Sequence, residues 1–280
     1  MTGAVVAGYS GSKEELNMLE YVKFAVNERI ATITLDRPEA RNALNPELTG
    51  DLIQKVRLAS ADPVVKCIVI QAEGEAFCAG GDVKGFSEFL HLSSERRFDA
   101  FEQKLLVGNR LPKVLLDSPK PIVVATRGAV AGAGLSLCLA ADFVISAEST
   151  YFIAAHVLVG LSLDCGLSGM LTAAMGIKAA KRLALLGERL DARQAMDLGI
   201  VTQVVNEPEL QDVTQKLVRR LAAGPATAMA KTKALLNRAA YRSFNDQLSE
   251  EATAIAHCAA TDDFRKGIEA ALGKQRGSFD

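Results

Sequence analysis

The chain has 280 residues, 49% of them hydrophobic, and a formal net charge of −1. That is enough apolar material for a sizeable core, in one large domain or one domain with an appendage, and a charge this close to zero gives no footprint for nucleic acid or acidic lipid. The five cysteines form no CxxC pair and the three histidines lie far apart, so the expectation is free buried thiols in a reducing, cytoplasmic setting, with no metal.

Residues 1–17 have no basic start and too short an apolar run for a signal peptide, so the expectation is a flexible leader, or a true start at Met18. No apolar stretch is long enough to span a membrane. Residues 21–26 and 30–35 read as two strands of a hairpin around Asn27-Glu28-Arg29. A polar loop follows, Asp36 to Leu44. Asn45 as N-cap and Pro46 at the first helical position then open a helix to about Ala59.

Residues 67–71 form a continuous apolar run, as expected of a strand buried on both faces. It leads into the small-residue turn Ala76-Phe77-Cys78-Ala79-Gly80-Gly81-Asp82. Residues 86–97, polar and mixed, read as a mobile flap, and 100–116 as one long helix. A strand at 122–126 runs into Arg127-Gly128-Ala129-Val130-Ala131-Gly132-Ala133-Gly134 and then an apolar helix. Small residues let a ligand lie against bare backbone, and a helix start presents unpaired N–H groups, so this turn suits an oxygen that gains negative charge. It is a poor dinucleotide fingerprint, because Leu137 stands where a third glycine belongs and no acidic residue follows at the ribose spacing.

Further on, 143–146 and 151–153 read as short strands and 157–166 as a loop. Helices are expected at 167–174, 178–186 and 192–198, with a last strand at 201–205. Beyond residue 207 the pattern is helical throughout: 208–223, 226–239, 244–260 and 262–274. The expected organisation is therefore a leader (1–17), an α/β core (18–206) and a C-terminal helical oligomerisation region (207–280).

Several of these segments together resemble the crotonase (enoyl-CoA hydratase/isomerase) family. They are Arg41-Asn42-Ala43-Leu44, the run Phe77 to Lys84, the Gly128–Gly134 turn with Asp142 behind it, and Ala184-Leu185-Leu186-Gly187-Glu188 through Ala195 to Gly199-Ile200-Val201. The resemblance covers about residues 20–275. It implies a spiral of ββα units with a C-terminal helical layer, trimers often paired into hexamers, and coenzyme A thioester substrates, with coenzyme A entering as part of the substrate and no separate cofactor.

Carried over by position, the resemblance makes the N–H groups of Gly81 and Ala133 an oxyanion hole for a thioester enolate. It places the coenzyme near Ala40, Arg41, Ala43, Ala79, Gly80, Asp82, Val83 and Gly132. Arg37 and Arg41 are candidate phosphate donors, and Phe264 and Lys274 match positions that contact the coenzyme, often from a neighbouring subunit.

Family hydratases carry two glutamates; the corresponding positions here are Ser136 and His156. Ordinary hydration is therefore not expected. Asp164, in Leu163-Asp164-Cys165-Gly166, matches the single catalytic aspartate of family isomerases, although it also suits a helix N-cap. The leading expectation is a double-bond isomerase with Asp164 as base. The alternatives are a hydratase or C–C hydrolase that uses His156, and an acyl-CoA-binding protein without catalysis.

Overall fold

The computed structural model describes residues 21–275 and 277–279, so the expected leader lies outside the described residues. Short, nearly continuous apolar runs build the main sheet. β1 (Val22–Asn27) and β2 (Ile30–Leu35) form the expected hairpin, with Asn27 paired to Ile30. Glu28 and Arg29 alone make the turn, both at positive φ, the backbone a two-residue hairpin needs to follow strand twist. β3 (Cys67–Ala72), β4 (Ile122–Thr126), β6 (Phe143–Ala147) and β9 (Gln203–Val205) extend the sheet in parallel, in the order β1-β2-β3-β4-β6-β9.

Successive residues of these strands serve two cores. Ala31, Ile33, Ile68, Ile70, Ile122 and Val124 face one side. α1 (Pro46–Ala61), α4 (Arg110–Asp117) and α5 (Ala133–Ala140) pack there. Asn45 caps α1 as expected, its Oδ1 accepting from the Leu48 N–H at 2.8 Å. Ile30, Cys67, Val69, Val123 and Ala125 face the other side, against Leu210, Val218 and Ala222 of α8 (Leu210–Ala222). The shift to all-helical sequence near residue 207 therefore does not mark the edge of the core, because α8 covers the second face of the sheet. α9 (Ala226–Ala239), α10 (Phe244–Ala259) and α11 (Asp262–Leu272) follow it.

A second, three-stranded sheet stands beside the first: β5 (Ala129–Ala131), β7 (Tyr151–Ile153) and β8 (Arg189–Asp191). β8 has no apolar alternation to announce it and is made by its antiparallel pairing with β7. Asp191 then starts α7 (Ala192–Asp197) through a capping box with Gln194.

Two helical expectations change. The long helix expected over 100–116 is two helices, α3 (Ser94–Gly108) and α4, joined at Asn109. Pro112 has no N–H for the Gly108 carbonyl, which ends the first helix there. The expected flap, 86–97, is the end of α2 (Val83–Ser87), a turn and the first turn of α3. Arg97 fastens that turn by donating to the carbonyls of Phe89, Leu90 and Leu92. α6 (Leu167–Leu186) contains the break expected between two helices, at Gly176. Among the described residues no helix is long and apolar enough to cross a membrane.

α9 is fixed to the sheet by a buried ion pair. Lys233 Nζ lies 2.7 Å from Asp142 Oδ2 and also donates to the Lys120 carbonyl, while the same Asp142 oxygen accepts from the Ile122 N–H. Burial pushes the Asp142 carboxyl up and the Lys233 ammonium down, and each charge opposes the other's shift. Removing one partner strands the other, so Lys233→Met should cost about 3 kcal/mol in urea unfolding. Adding Asp142→Asn to that variant should recover part of the loss.

Candidate active site

The site forms where two turns meet. Cys78 donates to the Ala129 carbonyl at 3.0 Å and accepts from the Ala131 N–H at 2.9 Å, so the 76–81 turn lies alongside β5. The chain then reaches Gly81 on one side and Ala133, the first residue of α5, on the other. Two glycines permit this approach. A Cβ at Gly80 (φ +90) would sit 2.9 Å from the Ala131 oxygen, and one at Gly134 would sit 2.7 Å from the Cys78 oxygen. Neither the Gly81 nor the Ala133 N–H donates to any partner among the described residues.

Two cavities open on these residues. The larger, about 480 Å³, is walled by Leu44, Pro46, Phe86, Phe89, Leu105 and Leu111. The smaller, about 160 Å³, reaches Gly80, Gly132, His156 and Leu161, with Ala79 and Val83 at its edge. Gly81, Ala133, Asp164, Phe86 and Leu105 line both. Phe86 stands over Gly81, where an added Cβ would meet its ring at 3.0 Å, so a larger residue at 81 would fill the slot. The wall is aromatic: Phe101 packs against Phe86 and Phe89 at 5.2 and 5.0 Å between centroids, and Lys104 lies over both of the latter rings.

Asp164 does not cap a helix. The residue before α6 is Gly166, which supplies no side-chain cap, and Asp164 contributes only its carbonyl, to the Leu167 N–H. Its carboxylate instead meets His156 Nε2 at 3.0 Å, with the two side chains 24% and 10% exposed. His156 sits in a short 3₁₀ turn after β7, and its Nδ1 is buried with no partner. Burial first, and the neighbouring Asp164 carboxylate second, push the Cys165 thiol up to about 12. Ser136, buried on α5, donates to the Cys165 carbonyl.

The 36–44 loop lies beside the first turn. The Ala79 N–H donates to the Arg41 carbonyl, the Leu44 N–H to the Gly80 carbonyl, and the Asp82 N–H to the Leu44 carbonyl. Arg37, expected at a phosphate, is committed elsewhere: its Nη1 binds Asp82 at 2.8 Å and the Ala43 carbonyl at 3.1 Å. Asp82 is correspondingly a structural partner and the N-cap of α2. Arg41 is exposed at positive φ, and its side chain has no partner among the described residues. Ala40 and Ala43 shape the loop without lining either cavity. Phe264 and Lys274, near the chain's end, also line neither. In one protomer they are not part of this site.

Sequence reasoning passed over Asn42 as a separate element. Wholly buried, it accepts from the Arg37 N–H and donates to the carbonyls of Glu73 and Ala76, tying the loop to the first turn. An asparagine in a loop beside the Gly-rich turn was the available signal, but nothing local shows which carbonyls it reaches.

The enoyl-CoA hydratase/isomerase family model matches residues 25–280, and the chain belongs to that family of enzymes. A trans-2-decenoyl-acyl-carrier-protein isomerase of Streptococcus mutans is 33% identical over 92% of this chain and 97% of its own. The 1,2-epoxyphenylacetyl-CoA isomerase of Escherichia coli is 33% identical over 94% of this chain and 99% of its own. The crystal structure of an enoyl-CoA hydratase from Polaromonas sp. JS666 superposes with a TM-score of 0.86 at 31% identity, covering 92% of this chain and 99% of that one.

The Arg37–Asp82 pair predicts a pH dependence. Burial would raise the Asp82 carboxyl, but the Arg37 hydrogen bond and charge hold it below the usual carboxylate value. Its contribution is therefore present at neutral pH and lost as pH falls through the folded-state value. The melting temperature of Asp82→Asn should lie below that of the wild type at pH 7, and the gap should close below about pH 4.

Proposed function

We propose that the protein moves a double bond in an enoyl-CoA thioester, with Asp164 as the single acid–base group. The observation that carries this reading is the placement of Asp164. Asp164, its carboxylate held by His156, lines both cavities together with Gly81 and Ala133, whose N–H groups have no partner among the described residues.

The chemistry follows from that placement. Asp164 removes a proton from C2 of a 3-enoyl thioester, and the electrons move onto the thioester oxygen as a dienolate. The Gly81 and Ala133 N–H groups receive that oxygen; donors of this kind contribute on the order of 3–4 kcal/mol each as charge develops. The protonated Asp164 then returns the proton at C4, giving the conjugated 2-enoyl thioester. One carboxylate suffices because the proton leaves and returns on the same face. His156 donates its Nε2–H to one carboxylate oxygen and leaves the other for the substrate.

The apolar, aromatic larger cavity suits the acyl chain. Coenzyme A enters only as part of the substrate, with its phosphates near Arg41. In a trimer, Phe264 and Lys274 of a neighbouring subunit would reach the coenzyme. The reading includes work in the cytoplasm on a dissolved thioester.

A second reading, hydration or hydrolysis, has one observation in its favour: the buried, unpartnered His156 Nδ1 is an acceptor that a water molecule can use. Incubation with a 2-enoyl-CoA in ¹⁸O-water separates the two, since only the second reading puts label in the product. For the isomerase reading, Asp164→Asn should slow conversion of a 3-enoyl-CoA to its 2-enoyl form by about 10²- to 10⁴-fold. Equal rates in variant and wild type would remove Asp164 as the base.

A further inference from the structure

We infer that Ser136 is a positioning residue that holds Asp164 in register with the oxyanion donors, by pinning the Cys165 carbonyl. The inference rests on the isomerase reading for its kinetic consequence, but not for its structural one.

Three observations converge on it. Ser136 is 2% exposed and sits on α5, one helical turn after Ala133. Its hydroxyl donates to the Cys165 carbonyl, across 29 residues of chain. Cys165 itself has φ +48, a left-handed backbone that a side chain with Cβ rarely adopts. A strained residue persists only when its surroundings hold it there. The peptide on the N-terminal side of Cys165 is that of Asp164, so a Cys165 that relaxed to negative φ would rotate the base away from both His156 and the slot.

By the family resemblance, Ser136 stands where hydratases carry a glutamate. The smaller side chain does not reach into the cavities and lines neither. Its hydroxyl is spent on the backbone, which makes α5 a fixed spacer between the Ala133 N–H at its start and the Asp164 carboxylate beside it. A buried hydroxyl that does not face substrate is thus given work by the strain in the neighbouring loop.

The test combines loss with a specific rescue. Ser136→Ala should lower kcat by about 10- to 100-fold, the range for losing one buried hydrogen bond, with KM changed less than about threefold. Ser136→Cys, of similar shape with a weaker donor, should fall between. Cys165→Gly in the Ser136→Ala background should recover most of the lost kcat, because glycine holds positive φ without strain. The imidazole ¹⁵N resonances of His156, assigned by their loss in His156→Gln, should move in Ser136→Ala and return in the double variant.

Unchanged kcat and unmoved His156 resonances in both Ser136 variants would overturn the inference. So would a loss of kcat that Cys165→Gly fails to recover. The resonances report the loop whatever the reaction is. If Asp164→Asn turns over like wild type while His156 still responds to Ser136→Ala, the base assignment fails and the positioning inference stands.

Discussion

The short backbone ladder between Cys78 and β5 is the contact on which the site depends. It joins two segments about fifty residues apart in the chain and sets how closely Gly81 and Ala133 approach. The ladder works only because side chains are missing where the turns touch. Oxygen atoms of Ala131 and Cys78 lie only 2.9 and 2.7 Å from where Cβ atoms of residues 80 and 134 would be. Catalysis by main-chain donors needs this kind of rigidity, since a donor that has to reorient as charge develops loses much of its effect.

Around that ladder, polar groups are spent on holding loops still. Asn42 ties the 36–44 loop to the first turn, Arg37 and Asp82 fasten the start of α2, and Ser136 fastens the loop that carries Asp164. Buried polar groups in folded proteins are normally paired, and exceptions call for a reason. His156 Nδ1 is one such exception, and its residue lines the smaller cavity with Gly81 and Ala133, whose N–H groups also have no partner among the described residues. Gln247 Oε1, in the helical layer, is unpaired too and lies outside both cavities. Donors and acceptors left open beside a cavity are what a substrate oxygen or a water needs, so the pairing pattern and the cavity geometry point to the same spot.

Much of the fold was legible locally. Short apolar runs located the main strands, and Asn45-Pro46 located a helix start, because such runs and caps are set by near neighbours. What escaped was decided by distant partners. β8 exists through its pairing with β7, and α8 joins the core because the second sheet face needs cover. The break at Asn109 was available in Pro112 but lost within a run of good helix formers.

For the site, the sequence by itself determined the residue types: small residues at two turns where backbone must be bare, one carboxylate in the following loop, and no glutamate pair. These followed from the motif pattern, and the chemistry they permit is narrow. Only the tertiary structure decided which groups are free. It commits Arg37 to Asp82, turns Asp164 toward His156 instead of a helix cap, and leaves Arg41 open. The physical reason is that a charged or polar side chain takes the best partner within reach, and what lies within reach depends on contacts between segments far apart in the chain.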